Sequence, residues 1–488
     1  MTTPAESVPI GSTVRLARRT KVRDRGRVLV GGVPTRVARL THAARSGIVD
    51  GDLVVTDAVT SRLGTHLIES GLGNPAATTL PEVPLDGLTV VIPVYERAAA
   101  LGRLLASLPH RVAGVIVVDD ASPNGDAIAA VTREHGARLL RLDTNSGPAA
   151  ARNAGLGIVT TTFVAFIDSD VEVEPGALEL LLRHFADRRL AMAAPRVIST
   201  ATPRSSWIAR YEGARSSLDL GPDPALVRPR TPVAWVSSTC LVARVSELGP
   251  GFDASMRVGE DVDLVWRLVG EGRHVRFEPN AVVQHAPRET MRAWLGRKYF
   301  YGTGAHPLAT RHPRDIAPAV LPGWGMAALA LVSVQRPWAA WAAGGVVATA
   351  LVSIARRVGH TAHPWRLSAE LTSYGVLGMV GQGTALVLRH WWPAFAVAAT
   401  ASRRARRLVI AAAILDSTWE YLRLRPSLDP IRFAAARRLD DLAYGAGVWA
   451  SVIRGRSIAA LLPSLARTGS SRRAGVRSRR ASTHESAG

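Results

Sequence analysis

From Leu88 to Asp170 the chain alternates short apolar runs with helical stretches: LTVVIPV, a helix over about 96–108, GVIVVDD, a helix near 125–135, ARLLRL, a helix near 148–158, and FVAFIDSD. Apolar runs joined by crossover-length helices are the pattern of a parallel sheet covered on both faces. The pattern predicts an α/β domain and also says where to look for function. In open sheets of this kind, ligands bind beyond the carboxyl ends of the strands. Three polar clusters fall there: Pro93-Val94-Tyr95-Glu96-Arg97, Asp119-Asp120-Ala121-Ser122 and Asp168-Ser169-Asp170.

Charge narrows the partners. The 488 residues carry 60 Lys and Arg against 39 Asp and Glu, a formal net charge of +21. Only Lys21 and Lys298 are lysines, so the excess is almost wholly arginine. Such a balance permits phosphorylated substrates, anionic lipid or nucleic acid. Scattered arginines without an aromatic-lined basic motif argue against specific nucleic-acid binding. The single cysteine, Cys240, excludes an intrachain disulfide and fits a reducing compartment. The absence of GxGxxG, a Walker A loop and paired CxxC removes dehydrogenase, NTPase and structural-zinc readings. No basic start with a short apolar run and cleavage site opens the chain, so the catalytic half is expected in the cytoplasm.

Composition divides the chain. Residues 1–75 form a separate small α+β module of winged-helix-like pattern: strands about Gly31-Gly32 and a helix over 57–72 with Asp57 as its cap. Residues 76–87 are a linker, and 88–310 the α/β domain. Residues 316–402 are a membrane-associated helical region, in which 316–334 and 338–355 are uncharged runs expected to cross and return. Arg356, Arg357 and Arg366, and then Arg403, Arg404, Arg406 and Arg407, would both be cytoplasmic by the positive-inside rule, placing the protein at the cell membrane. A buried helical hairpin in a soluble protein is the alternative. Residues 403–466 read as amphipathic helix and 467–488 as a basic disordered tail.

Each cluster has a chemistry. Asp168 and Asp170, flanking Ser169 after an apolar strand, suit a hard divalent cation held through oxygen while positions stay open for water and phosphate. Gly147 and Pro148 open a helix whose N–H groups favour a diphosphate, and Arg152 lies one turn in, with a fork suited to phosphate. A surface ion pair is the plain alternative for Arg152. Glu260 and Asp261 begin another helix after a glycine, a position that holds a carboxylate ionised as a general base or as a cap. Glu172 and Glu174 read as the solvated start of the next helix.

VVIPVYER (90–97), VVDDAS (117–122), NSGPAAARNAG (145–155), FIDSD (166–170) and GEDVDLVWRL (259–268), in this order, resemble the family 2 glycosyltransferases. These are inverting enzymes with the Rossmann-like, nucleotide-sugar-binding GT-A fold. The resemblance implies a nucleoside held by Pro93, Tyr95 and Glu96, uracil read by Asp120, and a UDP-sugar diphosphate near Gly147, Arg152 and Asp168. It implies Mg²⁺ or Mn²⁺ at Asp170 with Asp168, general base at Asp261, and in some relatives a metal-ligating histidine, which maps to His285. The Gln-x-x-Arg-Trp element of processive synthases is missing, since Gln284 to Arg288 is one residue too long and Glu289 follows.

The order of segments, with GGVPTRVARL and HLIESGLGNP, resembles a narrower group within the family. That likeness implies UDP-glucose as donor, a peptide-derived redox cofactor precursor as acceptor, and β-1,4-linked glucose as product. The amino-terminal module would then recognise the peptide, or else serve as a stabilising extension. A lipid-linked or cell-envelope acceptor and a non-catalytic membrane scaffold remain the competing readings.

Overall fold

The computed structural model describes residues 8–466, and the stretch 467–488, expected as a basic tail, lies outside the described residues. Four strands form as expected: Leu88–Val94, Gly114–Asp119, Arg138–Arg141 and Phe163–Ile167. They pair in parallel in the spatial order third, second, first, fourth. Leu88–Val94 is buried along its whole length because each face has a cover. Val90, Ile92 and Val94 share a core with Leu101, Leu104 and Leu105 of helix Ala98–Ser107. Val91 shares the other core with Ala149 and Ala151 of helix Pro148–Leu156. Chain order reverses between the first and fourth strands, and the crevice at their carboxyl ends is the switch point of such a sheet.

Past Ile167 the sheet becomes mixed. Cys240–Arg244 runs antiparallel to both Phe163–Ile167 and Leu190–Ser199, and His274–His285 lies parallel to the latter. Val171–Val173 forms a short strand against residues 283–285, and the next helix starts only at Ala177. Glu172 and Glu174 therefore do not occupy a helical first turn as expected. Val171 and Val173 point into the core, which carries the chain on as strand. Glu172 pairs with Arg103 at 3.0 Å and Glu174 accepts from Gln284.

The amino-terminal unit is α+β. Thr13–Leu16 lies within a four-stranded antiparallel sheet, and the hairpin Val28–Gly31 with Arg36–Arg39 gains a third strand, Lys21–Arg23. Helix Ala58–Glu69 is capped by Asp57, whose carboxylate accepts from Val59 and Thr60 N–H. The unit is fastened to the α/β domain: Arg189 pairs with Glu69 at 2.7 Å, and Arg228 donates to the Glu69 carbonyl at 2.7 Å. Residues 76–87 are packed rather than free. Leu80 and Leu85 are buried, and Arg183 donates to the carbonyls of Thr78 and Leu80 at 3.0 and 2.9 Å.

Helices Pro337–Arg357 and Pro364–His390 are long and apolar enough to cross a membrane. The run 316–334 does not match them. Val320–Leu321 pairs with Ser464–Leu465 and Pro322 begins a helix of only 11 residues, Gly323–Ser333. At 1.5 Å per residue that helix covers about 17 Å, short of the roughly 30 Å hydrocarbon layer, so the expected out-and-back pair does not form from these two runs. Helices Trp392–Ala401, Arg403–Leu424 and Pro430–Gly455 follow. The last docks on helix Met291–Gly302, where Lys298 is buried 2.7 Å from Ser217 Oγ and 3.8 Å from both Glu212 and Asp440.

Candidate active site

A cleft of about 1510 Å³ opens at the switch point. Every residue expected at the site lines it except Gly147, whose neighbour Pro148 does. Its far wall comes from the carboxyl-terminal helices, through Gln382, Arg389, Arg423 and Tyr444.

The first two strand ends meet in strained turns. Glu96 and Ala121 hold φ of 62° and 58°, left-handed values uncommon for residues with a side chain. Ser122 Oγ accepts from the Glu96 N–H at 2.9 Å and joins the turns. Such strain persists where the surrounding structure over-determines it, commonly at ligand sites. Tyr95 is 42% exposed, at the cleft and not packed in the core. Trp266 is buried, and its Nε1 donates to the Ala234 carbonyl at 2.8 Å, a packing role.

Asp120 binds its own chain. Its two carboxylate oxygens accept from the N–H groups of Ser146 and Gly147, each at 2.8 Å. This fixes the loop that starts helix Pro148–Leu156, and Gly147 enters it at φ 88°. Any contact to a base must use the lone pairs these bonds leave over.

Arg152 is 3% exposed and not an open phosphate fork. Its Nη2 donates to Asp168 at 2.6 Å and its Nη1 to Glu260 at 3.1 Å, while the guanidinium lies 5.3 Å from the centre of the Phe252 ring. Burial works against its charge, and Asp168 and Glu260 outweigh that effect, so its pKa moves up. Of the two roles expected for Arg152, phosphate fork or surface ion pair, the structure forms an ion pair, buried rather than at the surface, and gives Glu260 a partner the sequence does not indicate. From one turn into helix Pro148–Leu156, at the cleft wall, this arginine reaches both carboxylates.

Asp170 faces Arg97, which donates to it, and His285, whose Nε2 is 3.6 Å away. Burial would raise the Asp170 pKa, but His285, Arg97 and Arg288 together hold it well below the ordinary carboxylate range. His285 has no sequence spacing that ties it to Asp170; the pairing of Val171 with His285 across two strands brings them together. Arg97 was missed, although it closes the first polar cluster.

Asp261 sits at the start of helix Glu260–Gly270, partly buried, and accepts from Val262 N–H at 2.8 Å and from Ser238 N–H at 3.3 Å. The helix end was expected to keep it readily ionised. Burial and the neighbouring Glu260 charge win instead, pushing its pKa up to about 7 against those two bonds and Arg152. That value suits a group that takes a proton near neutral pH.

No group of three or more His, Cys, Asp and Glu side chains converges to hold a metal among the described residues. The donors that do gather, an ionised Asp170 beside His285 with Asp168 two residues away, fit a hard cation that takes its remaining ligands from phosphate and water.

Residues 89–232 match the family model described as glycosyl transferase family 2, and residues 163–401 match glycosyl transferase family group 2. The N-acetylglucosaminyl-diphospho-decaprenol L-rhamnosyltransferase of Mycobacterium tuberculosis is 30% identical over 244 residues, covering 41% of this chain and 76% of that protein. Among solved structures, a mannosyltransferase from Pyrobaculum calidifontis in complex with GDP-Man and Mn²⁺ aligns at 19% identity and a TM-score of 0.36, over 62% of this chain and 90% of that one. The pre-mycofactocin glycosyltransferase of Mycobacterium tuberculosis is 40% identical over 482 residues, 94% of this chain and 99% of that protein. A match of that extent takes in the amino-terminal unit and the carboxyl-terminal helices as well as the sheet, and the chain belongs to glycosyltransferase family 2, in the group of the pre-mycofactocin glycosyltransferase.

Proposed function

We propose that this enzyme transfers glucose from UDP-glucose to the peptide-derived precursor pre-mycofactocin with inversion at the anomeric carbon, and extends the product as a β-1,4-linked oligoglucose chain. The end-to-end likeness to a protein of that name carries the reading, because the likeness includes segments outside the nucleotide-sugar fold.

In this reading the acceptor hydroxyl gives its proton to Asp261 as its oxygen bonds to the anomeric carbon. The bond from that carbon to the diphosphate breaks on the opposite side, and UDP leaves with the electron pair. Burial and the Glu260 charge push the Asp261 pKa up to about 7, which poises it to take a proton near neutral pH. Asp168, Asp170 and His285 would hold Mg²⁺ or Mn²⁺, which when bound offsets charge on the departing diphosphate. Arg152 holds Asp168 in place, Asp120 shapes the phosphate-facing helix start, and Tyr95 with Pro93 and Glu96 borders the nucleoside.

Membrane attachment with the catalytic domain in the cytoplasm belongs to the same proposal; the two long apolar helices support the attachment. Recognition of the peptide acceptor is assigned to the amino-terminal unit. The deciding experiment offers the purified enzyme UDP-glucose, UDP-galactose, UDP-N-acetylglucosamine and GDP-mannose, each with pre-mycofactocin and with a decaprenyl-diphosphate-linked sugar. Glucose transfer to the first acceptor supports the proposal. Transfer only to the lipid-linked sugar would replace it with the cell-envelope reading, which the rhamnosyltransferase likeness favours.

A further inference from the structure

Helix Pro364–His390 is held to the body near both ends. Glu370 accepts from Lys21 and, at 2.9 Å, from Arg23 of the amino-terminal unit. Arg389 lies 3.4 Å from Asp441 on helix Pro430–Gly455, which packs on the catalytic domain. A helix that crossed the bilayer would carry one end away from the body by about 30 Å. This one runs along it.

Helix Pro337–Arg357 lies beside it, with Ser368 Oγ donating to the Leu351 carbonyl. At one end of the pair stand exposed Arg356, Arg357 and Arg366. At the other, Gln335 donates to the Arg404 carbonyl at 2.7 Å, which brings the exposed arginines of 403–407 there. Positive charge thus flanks the apolar helices at both ends. Spanning helices would put one of these groups on the far face, against the positive-inside rule.

Helix Arg403–Leu424 shows the same design. Its Asp416 and Glu420 turn inward, to Arg437 at 3.1 Å and Arg215 at 3.4 Å. Ile410, Ile414, Leu415, Trp419 and Leu422 are 56–66% exposed along its outer face, and Trp341 on the neighbouring helix is 83% exposed. A helix with outward Trp, Ile and Leu and flanking arginines suits the interface plane of an anionic bilayer.

We propose that residues 323–424 seat in one leaflet of an anionic bilayer and cross it nowhere, with both arginine groups and the catalytic cleft on the same side. This refines the membrane attachment proposed above. Cys240 is buried and is the only cysteine, so single cysteines can be placed in the full chain as Arg336→Cys, Arg404→Cys and His360→Cys. Sealed inverted vesicles from expressing cells are then treated with a membrane-impermeant maleimide. Labelling of all three without permeabilisation is expected. Labelling at one end of the pair only, whether Arg336→Cys and Arg404→Cys without His360→Cys or the reverse, with the rest reached only after permeabilisation, would establish a span and overturn the proposal while leaving membrane attachment intact. In parallel, purified protein is floated with phosphatidylcholine vesicles with and without phosphatidylglycerol. Phosphatidylglycerol should strengthen binding by about tenfold or more, as several arginines near an anionic surface imply. Trp419→Glu should weaken binding at an unchanged melting temperature. Equal binding to both vesicles would overturn the anionic seat, and binding to neither would overturn membrane attachment as well.

Discussion

Arg152 and Glu260 are 108 residues apart in the chain and meet at 3.1 Å beneath the cleft, with Asp168 on the other arm of the same guanidinium. Replacing Arg152 by Met would leave two carboxylates without their cation. We expect a loss of about 3 kcal/mol in denaturant unfolding, at the lower end of the range for breaking a buried pair because Asp168 is partly open to solvent. Glu260→Gln, which keeps a neutral partner for Arg152, should cost less.

The same neighbours set the pH dependence. As the proposed base, Asp261 accepts a proton only when ionised, and its pKa is pushed up to about 7, so kcat/KM for the acceptor should fall about tenfold per pH unit well below 7 and level off above it. Glu260→Gln removes the like charge that raises Asp261, and the acidic limb should move to lower pH. A pH–rate profile of both proteins checks this; an unmoved limb would assign it to another group.

Asp261→Asn should lower kcat by about 10² to 10⁴ and leave UDP-glucose affinity within a few-fold. Calorimetric titration of the donor beside single-turnover assays separates the two effects.

Asp170→Asn should raise the divalent cation concentration needed for half-maximal turnover, and EDTA should abolish turnover in the parent protein. Turnover unaffected by EDTA would remove the metal from the proposed site.

Gly155 faces the sheet so closely that an added Cβ would lie 2.4 Å from Val91 Cγ1 and 3.0 Å from Val118 Cγ2. Gly155→Val should destabilise the fold by about 1–3 kcal/mol through overpacking and tilt the helix that Asp120 holds. Thermal unfolding measures the cost, with Gly102→Ala as a tolerated control; the atom nearest an added Cβ at Gly102 is 3.6 Å away.

What could be read from the sequence followed local physics. The strands from Leu88 to Ile167 and the helix capped by Asp57 announce themselves through apolar runs and caps, and strand ends locate the cleft. The partners within it could not be read this way. Arg97 with Asp170, and Arg152 with Glu260, are set by which strands become neighbours and how far a helix sits from the sheet. Nothing in a linear pattern encodes those distances. The short span of Gly323–Ser333 was hidden for a similar reason, because Val320–Leu321 is drawn into a ladder with residues more than a hundred positions later. The Asp261 pKa depends on desolvation by the assembled cleft, which outweighs the helix end the sequence displays.

One wall of the cleft belongs to the helices that carry Gln382, Arg389, Arg423 and Tyr444. If those helices sit in a bilayer as proposed, solubilising this protein changes a wall of the cleft as well as its surroundings. An exchange of detergent for lipid should then alter KM for the acceptor and spare KM for the nucleotide sugar, whose proposed contacts lie at the strand ends of the sheet. The choice of amphiphile is then an experimental variable of the catalytic assay, to be titrated like a cosubstrate.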